Sequence, residues 1–567
     1  MDDPRLNLKR RDVLRLFAAG SAGLLLAACG GQAAPASSPA SAAPSSAAPK
    51  PSTTSSAPAA SAPAGSSSPA AVSSAPAASP KPATSAAGSA QPKPGGTLNW
   101  GRLGNLVTLD GHNFSNTDGL FHIWDRLIVL DEKLNMTPRL AESWDINADF
   151  TQIKLNIRKG VQWHSGRELT SDDVLWNFNR VNDPSVGGGI FASYVAPLQS
   201  VTNPDKYTIL ITSKAPYPYI SHILEAMNIL DPVTMQGPDA ANKPVGTGPF
   251  KFMEYAQGDH LTMAKNANYW RSGLPYVDTL YMKIFTDPQA QVTNLEAGSI
   301  DAAVNIAIRD AARLQSDPKY NLVLNQNSGA AYVLTPNASL APTNSKELRQ
   351  AINFAIDRQR ITDTVLLKLG NPVNMIWYPT SPAYDAAKDK TYTFDLDKAK
   401  ALVQKSGVSN PVFDFNYSTA VPEVAQMAQI IQGDLAKVGV SVNLKGQDPA
   451  ALAGIQYTAK YNGAAFGTAL FGQVQPGVQF GSPYYGPLNN WSGFKDDQFT
   501  KLASDMATAT DPAKQKQAAA AYTDYILDQS FTIAICSLLP RVATAAQVHG
   551  VAYDMAYILQ ATEAWIG

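Results

Sequence analysis

The sequence predicts an α/β protein, because helical and strand patterns alternate along much of the chain. In the C-terminal half, helical patterns over 345–367 and 397–406 alternate with strand patterns at 412–417 and 441–445. Gly439 stands before the last of these strands, in the position of a helix C-cap. This alternation predicts sheets whose faces are largely covered by helices.

The elements nearer the N-terminus are predicted from shorter patterns. Leu98 and Trp100 suit a strand that enters a sheet, and the apolar residues of 123–128 recur at helical spacing, which predicts a core stripe. Strict alternation over 151–158 predicts a half-buried strand. The run 170–173 (Thr-Ser-Asp-Asp) predicts the start of a helix, because these side chains can bond the free N–H groups of a first turn.

Composition excludes some classes of function. The chain has 567 residues, a formal net charge of -1 and 16% charged residues, so it lacks the basic excess expected of a nucleic-acid-binding protein. Its two cysteines, Cys29 and Cys536, allow one disulfide at most. The folded part is therefore expected to be stabilised by packing.

Residues 1–29 have the pattern of an export signal. Lys9, Arg10 and Arg11 precede a short apolar segment that is too short to span a bilayer stably. The run 26–29 (Leu-Ala-Ala-Cys) resembles the lipobox of bacterial lipoproteins, which implies cleavage before Cys29 and lipidation of its sulfur. An ordinary signal peptide with a chance cysteine is the alternative. A lipidated Cys29 would anchor the protein to the outer face of the cytoplasmic membrane.

Residues 30–94 are dominated by Ala, Pro and Ser. Such a segment buries too little apolar surface to offset the entropy lost on ordering, and its prolines keep it extended. We therefore expect a disordered tether between the anchor and the folded part.

Several motifs in the folded part resemble the family 5 extracellular solute-binding proteins, the dipeptide-, oligopeptide- and nickel-binding proteins of ABC importers. The first lies in 138–178, which reads PRLAESWDINADF and then LNIRKGVQWHSGRELTSDDVLWNF. Others are GTGPF at 246–250, NYW at 268–270 and LRQAINFAIDRQRI at 348–361. Each motif alone is weak, but their order and spacing cover essentially all of 95–567.

The resemblance implies a two-lobed periplasmic-binding-protein type II fold with a hinge between the lobes. Lobe one is expected to span 95–335, with an inserted subdomain at about 140–245. Lobe two is expected to span 336–544, and 545–567 to return to lobe one. The chain would cross the hinge near 327–345 and again near 536–546.

The sequence contains no pattern typical of an enzyme. It has no HExxH pair, no GxSxG turn, no Walker loop and no GxGxxG motif, and we expect no cofactor and no metal site. His164 matches a structural turn of the family better than a catalytic base. Cys536 lies in an apolar run, where an inert buried thiol is expected.

The stretch 462–494 contains no Asp, Glu, Lys or Arg. In peptide binders of the family, this part of lobe two carries an Asp that pairs with the peptide ammonium. Here it offers Phe471, Gln473 and Gln475 instead, and an ammonium without a counter-charge is costly to bury. This departure argues against the usual capture of a peptide amine, unless Asp110 or Asp118 supplies the charge.

Aromatic and amide side chains suit an uncharged polar solute such as a sugar or a blocked peptide. Besides the three residues of 462–494 just named, the predicted ligand-binding residues are Trp491, Trp377 and Tyr378 of lobe two and Asn116 and Phe121 of lobe one. For each of them, plain packing in a core or on a surface is the alternative interpretation.

The function predicted from the resemblance is that of a membrane-tethered, monomeric substrate-binding subunit of an ABC importer. Its partners would be a small-molecule or peptide solute, the permease and ATPase subunits, and the membrane through the lipid. The alternative is a solute sensor or chaperone-like binding protein on the same fold without a transporter. The protein would be exported in both cases, to the periplasm or the cell surface.

Overall fold

The computed structural model describes residues 91–106, 108–112, 119–183, 186, 191, 194–237, 240, 242–326, 330–375, 377–419, 421–469, 475–482, 484–488 and 490–567. The predicted signal at 1–29 and nearly all of the tether at 30–94 lie outside this part of the chain. None of the helices within it is long and apolar enough to cross a membrane.

The strands fall into three larger sheets and three short pairs. They are β1 (Thr97–Leu103), β2 (Ile128–Leu130), β3 (Met136–Pro138), β4 (Ala141–Ile146), β5 (Gln152–Ile157), β6 (Leu198–Asp205), β7 (Thr208–Ser213), β8 (Phe250–Ala256), β9 (His260–Lys265), β10 (Thr279–Phe285), β11 (Ala302–Val304), β12 (Tyr320–Leu324), β13 (Ala331–Pro336), β14 (Val412–Ser418), β15 (Ser441–Gln447), β16 (Ala464–Ala469), β17 (Ile533–Ser537), β18 (Arg541–Ala545), β19 (Val548–His549), β20 (Ala552–Tyr553), β21 (Leu559–Gln560) and β22 (Trp565–Ile566).

The helices lie mainly between these strands. They are α1 (Ser171–Val181), α2 (Ser221–Ala226), α3 (Pro232–Met235), α4 (Pro288–Glu296), α5 (Ile308–Leu314), α6 (Lys346–Ala355), α7 (Arg358–Thr364), α8 (Leu396–Lys405), α9 (Pro422–Ala436), α10 (Pro449–Thr458), α11 (Asp497–Thr508) and α12 (Pro512–Gln529). Short 3-10 turns occur at Leu120–His122, Lys388–Lys390 and Pro476–Gly481.

The first lobe is built on a seven-stranded sheet of order β12-β18-β11-β1-β10-β9-β8. At its centre β1 runs parallel to both β10 and β11, whereas β9 and β18 run antiparallel to their neighbours. Trp100, Leu280 and Met282 are buried on one face of the sheet, as expected for central strands. The same lobe carries the four-stranded antiparallel sheet β4-β5-β7-β6, which α1 covers.

The second lobe is built on a five-stranded sheet of order β15-β14-β16-β13-β17. In it β14 runs parallel to β15 and β16, and β13 is antiparallel to β16 and β17. Helix α9 lies against this sheet, with Met427, Ile431 and Leu435 fully buried.

The chain passes between the two lobes twice, after β12 (Tyr320–Leu324) and after β17 (Ile533–Ser537). The lobe boundaries expected at 335 and 544, and the inserted subdomain at about 140–245, stay predictions. The two connections are bonded to each other: Asn325 N donates to Pro540 O at 2.9 Å, and Leu538 N donates to Ala330 O at 2.8 Å. The two connecting segments are thus hydrogen-bonded to each other.

Most of the predicted elements that we singled out are present. The strands at 151–158, 412–417 and 441–445 correspond to β5, β14 and β15. Helix α1 begins after Thr170, whose backbone N–H donates to the Asp173 carboxylate at 2.9 Å. Gly439 follows α9 with a φ of 80°, the left-handed conformation that favours glycine at a helix end.

Two predicted helical stretches are wrong in part. The stretch 345–367 is two helices, α6 and α7, because Ile356 leaves the helical conformation and the Asp357 side chain accepts from Arg360 N to begin α7. The apolar residues at 123–128 are buried as expected, but those at 123–127 lie in an irregular segment between the 3-10 turn at Leu120–His122 and β2, which begins at Ile128. Burial on all sides produces the same apolar spacing as one helical face.

Candidate functional site

The two lobes touch at a small contact that we call the interlobe contact, formed by Tyr219 and Ser221 of the first lobe and Gln475 and Gly477 of the second. The Nε2 of Gln475 donates to Ser221 Oγ at 3.1 Å, and Ser221 Oγ lies 3.4 Å from Gln475 Oε1. Gln475 and Tyr219 are each 7% exposed. In this arrangement of the lobes, the side chains of Gln475 and Tyr219 are therefore largely shielded from water.

Local sequence explains the shape of the second-lobe side. Pro476 opens the 3-10 turn at Pro476–Gly481, since its fixed φ suits the first position of a helical turn. Gly477 then lies directly against the Tyr219 ring. A Cβ at position 477 would stand 2.8 Å from Tyr219 Cγ and nearer still to Cδ2 and Cε2. The contact thus requires a residue without a side chain here.

Aromatic rings pack around His222, which follows Ser221 in α2. His222 packs edge-on against Tyr194 with ring centroids 4.5 Å apart, and Tyr194 in turn packs against Phe191 at 6.2 Å. Neither His222 Nε2 nor Tyr219 Oη has a hydrogen-bond partner within the part of the chain that the structure describes. Buried polar atoms are usually paired, so these two atoms are candidates to bond a ligand.

The electrostatics of this region are close to neutral. Burial lowers the pKa of His222 to about 4, so the imidazole is uncharged at neutral pH. Burial also raises the pKa of Tyr219 to about 12. These groups offer hydrogen bonds and ring faces, and they offer no charge.

Asp110 does not provide a free counter-charge for an ammonium group. Its Oδ2 accepts from Arg180 Nη2 at 2.6 Å, and its Oδ1 accepts from the backbone N of His112 at 3.0 Å. Burial acts to raise the pKa of Asp110, but the hydrogen bond and charge of Arg180 outweigh it and the pKa is lowered. The carboxylate is therefore already neutralised by Arg180. Asp118 lies outside the described residues.

The structure describes five of the eight predicted ligand-binding residues. Gln475 is the one that lies at the interlobe contact. Trp377 is buried in the second lobe, where its Nε1 donates to Thr523 Oγ1 at 2.7 Å. Tyr378 donates to Ala330 O at 2.9 Å, beside the crossing between the lobes. A role in ligand binding stays a prediction for each.

The two remaining described residues lie in different surroundings. Trp491 packs against Tyr484 and Tyr457, with ring centroids 4.7 and 5.1 Å apart. Phe121 lines a cavity inside the first lobe. Of the predicted aromatic residues, the four that the structure describes are therefore not gathered in one place. Asn116, Phe471 and Gln473 lie outside the described residues, as does the lipidation candidate Cys29.

Sequence reasoning missed the first-lobe side of the contact, namely Tyr219, Ser221 and His222. The one available signal was the run 215–219 (Ala-Pro-Tyr-Pro-Tyr), in which alternating prolines and tyrosines end just before α2. Such a run holds aromatic side chains on a short rigid segment, but nothing in it identifies the partner on the other lobe.

His164 and Cys536 have structural surroundings. His164 Nε2 lies 3.0 Å from Gly248 O, and its Nδ1 accepts from Gly246 N at 3.3 Å. Cys536 is fully buried in β17, and burial raises the pKa of its thiol. No group of three or more His, Cys, Asp or Glu side chains suited to a metal ion occurs among the described residues.

Comparison with known proteins identifies the family. The model of bacterial extracellular solute-binding proteins, family 5 (middle part), matches residues 135–495. Heme-binding protein A of Haemophilus influenzae is 30% identical over 353 residues, which are 57% of this chain and 64% of that protein. Di/tripeptide-binding protein 1 of Pseudomonas aeruginosa is 27% identical over 423 residues, which are 67% of this chain and 76% of that protein.

A solved structure supports the architecture. The PBP AgaA from A. tumefaciens R10, in complex with agropinic acid, superposes with a TM-score of 0.73 and 26% identity, covering 83% of this chain and 99% of that chain. The expected two-lobed periplasmic-binding-protein type II fold is thus confirmed. The family consists of binding proteins, which confirms the expectation that the chain is not an enzyme. The chain belongs to the family 5 bacterial extracellular solute-binding proteins.

Proposed function

We propose that this protein is the extracytoplasmic substrate-binding subunit of an ABC importer, which captures a small solute between its lobes and delivers it to a permease. The observation that carries the proposal is the interlobe contact, where Gln475 meets Ser221 across the two lobes. A ligand that bridges the lobes favours the closed state by its differential affinity, and no covalent step is needed. Family membership supports the same function.

We infer that the solute presents uncharged polar groups to the interlobe contact. The second-lobe stretch 462–494 carries no charged side chain, and Asp110 of the first lobe is paired with Arg180. A free ammonium placed here would lose its hydration without gaining a counter-charge, which is costly in a buried site. Tyr219 Oη, His222 Nε2 and the amide of Gln475 can bond hydroxyl, carbonyl or amide groups instead.

The relatives bind chemically different ligands, as their names state: heme, di- and tripeptides, and agropinic acid. Peptide-class solutes therefore belong in any test beside neutral ones.

We further propose that Cys29 is lipidated and holds the protein at the outer face of the cytoplasmic membrane. In this proposal 30–94 is the tether, and the protein acts as a monomer.

The test is a thermal-melting panel on the purified protein, with Ala-Ala, N-acetyl-Ala-Ala-amide, glutathione, trehalose and hemin as probes. A ligand at a hundredfold its dissociation constant stabilises the folded state by about 2.7 kcal/mol. We expect stabilisation by a probe without a free ammonium, together with a smaller radius of gyration in X-ray scattering. Stabilisation by free-amine peptides alone would contradict the uncharged-site argument. Stabilisation without any change in interlobe distance would contradict binding between the lobes.

A further inference from the structure

The cavity that Phe121 lines lies inside the first lobe, away from the interlobe contact. It has a volume of about 200 Å³ and is lined by side chains from 121–139, 249–271 and the C-terminal segment 550–563. None of the residues that line it belongs to the second lobe. Its contents therefore do not depend on the interlobe contact, and an occupant would touch both the core of the first lobe and the C-terminal segment.

Three arginines line this cavity, and two of them are paired with carboxylates of the C-terminal segment. Arg126 Nη2 lies 2.5 Å from Asp554 Oδ2, and Arg271 Nη2 lies 2.6 Å from Glu563 Oε1. These pairs hold the C-terminal segment against the lobe. Asp554 and Glu563 are therefore already paired, and neither neutralises the charge of the third arginine.

That third arginine, Arg139, has no carboxylate within 4.0 Å among the residues described. Its hydrogen bond is to a neighbouring backbone oxygen, from Nη1 to Pro138 O at 3.1 Å. Its side chain is half-buried in the cavity wall. Burial, followed by the like charge of Arg271, lowers the pKa of Arg139, although the Asp125 carboxylate acts in the opposite direction.

The one other carboxylate in the wall, Asp125, is bonded to neutral donors. It accepts from Tyr269 Oη at 3.0 Å, Trp270 Nε1 at 2.9 Å and Thr247 Oγ1 at 3.0 Å. Burial raises the pKa of Asp125 despite these bonds. Asp125 is thus oriented by its donors, and it forms no ion pair with Arg139.

We propose that the cavity is a second binding site, which takes a small oxyanion, a carboxylate or a phosphate group, on the guanidinium of Arg139. A guanidinium presents planar N–H donors that match both kinds of oxyanion, and the cavity is large enough for a ligand of a few heavy atoms. Arg271 lines the same wall, and an anion that reaches it would share it with Glu563. This site is independent of the solute captured between the lobes.

The experiment titrates the purified protein with sodium acetate and, separately, sodium phosphate, with sodium chloride at matched ionic strength as the reference. Melting temperature is measured for the native protein and for Arg139→Gln, Arg309→Gln and Glu563→Gln. Arg309 is an exposed arginine outside the cavity, so its variant makes the same change of charge without touching the site.

We expect saturable stabilisation by acetate, phosphate or both. The preferred anion shows whether the site takes a carboxylate or a phosphate group. Arg139→Gln should weaken that binding at least tenfold, whereas Arg309→Gln should leave it unchanged. Glu563→Gln should tighten it, because Arg271 then loses its partner. The proposal is overturned if neither anion acts beyond chloride, if the two arginine variants behave alike, or if Glu563→Gln binds no tighter. The last variant gains affinity, so loss of folding cannot imitate its expected result.

Discussion

Replacing Gly477 by alanine should open the two lobes. The new Cβ would stand 2.8 Å from Tyr219 Cγ, whereas carbon atoms pack at about 3.5–4.0 Å. Because the Cβ would stand nearer still to Cδ2 and Cε2, the lobes must separate by more than about 1 Å, or the Tyr219 ring must turn, to restore normal packing. Overpacking of this kind costs about 1–3 kcal/mol, which corresponds to a loss of roughly 5- to 150-fold in the closed population and in the apparent affinity for a ligand that needs closure.

The matched control is Gly481→Ala, in the same 3-10 turn, where a Cβ would meet nothing within 4 Å. Interlobe distance would be followed by X-ray scattering and by a pair of fluorescent labels, one on each lobe. We expect a longer distance for Gly477→Ala and no change for Gly481→Ala. Adding Tyr219→Ala to Gly477→Ala should restore closure by making room. Equal distances in all variants, or equal effects at 477 and 481, would refute the steric argument.

Three further outcomes follow from the structure. Gln475→Leu should weaken closure by about 1 kcal/mol, and a double-mutant cycle with Ser221→Ala should show that the two effects are not additive; additive effects would mean that the hydrogen bond is absent in solution. Asp173→Ala should lower the free energy of unfolding by about 1–3 kcal/mol in urea titrations, because the Thr170 N–H and the Arg167 ion pair lose their acceptor, whereas Asp172→Ala at an exposed site serves as the control. Burial raises the pKa of Glu225 to about 7, so the folded state binds the carboxyl proton of Glu225 more tightly than the unfolded state does. The free energy of unfolding should therefore fall as pH rises from about 4.5 to 7, and Glu225→Gln should flatten that dependence.

The local features of the fold could be predicted because each depends on neighbours in sequence. The start of α1 at Thr170 and the left-handed Gly439 after α9 follow from capping chemistry within a few residues. The break between α6 and α7 was not predicted, since Asp357 looks like an ordinary helix residue until its side chain is seen to cap α7. The apolar spacing at 123–128 correctly predicts that these residues are buried, but they do not form a helix.

The candidate site was harder to predict because it depends on distant residues. Ser221 and Gln475 are 254 positions apart, and no pattern near either one indicates the other. The family resemblance places the segment that contains Trp377 near the cleft, and the structure adds that Trp377 is buried and bonded to Thr523, so its role in binding stays a prediction. Composition can state that a stretch is rich in aromatic residues, but packing decides which side chains remain available.

The paired crossing between the lobes has a mechanical consequence. On the first-lobe side the two chains continue into the adjacent strands β12 and β18, and on the second-lobe side into β13 and β17, which are also adjacent. The bonds from Asn325 N to Pro540 O and from Leu538 N to Ala330 O tie the described ends of the two connections to each other. A link of this kind would guide the proposed closure along a single arc, which would bring Gln475 back to Ser221.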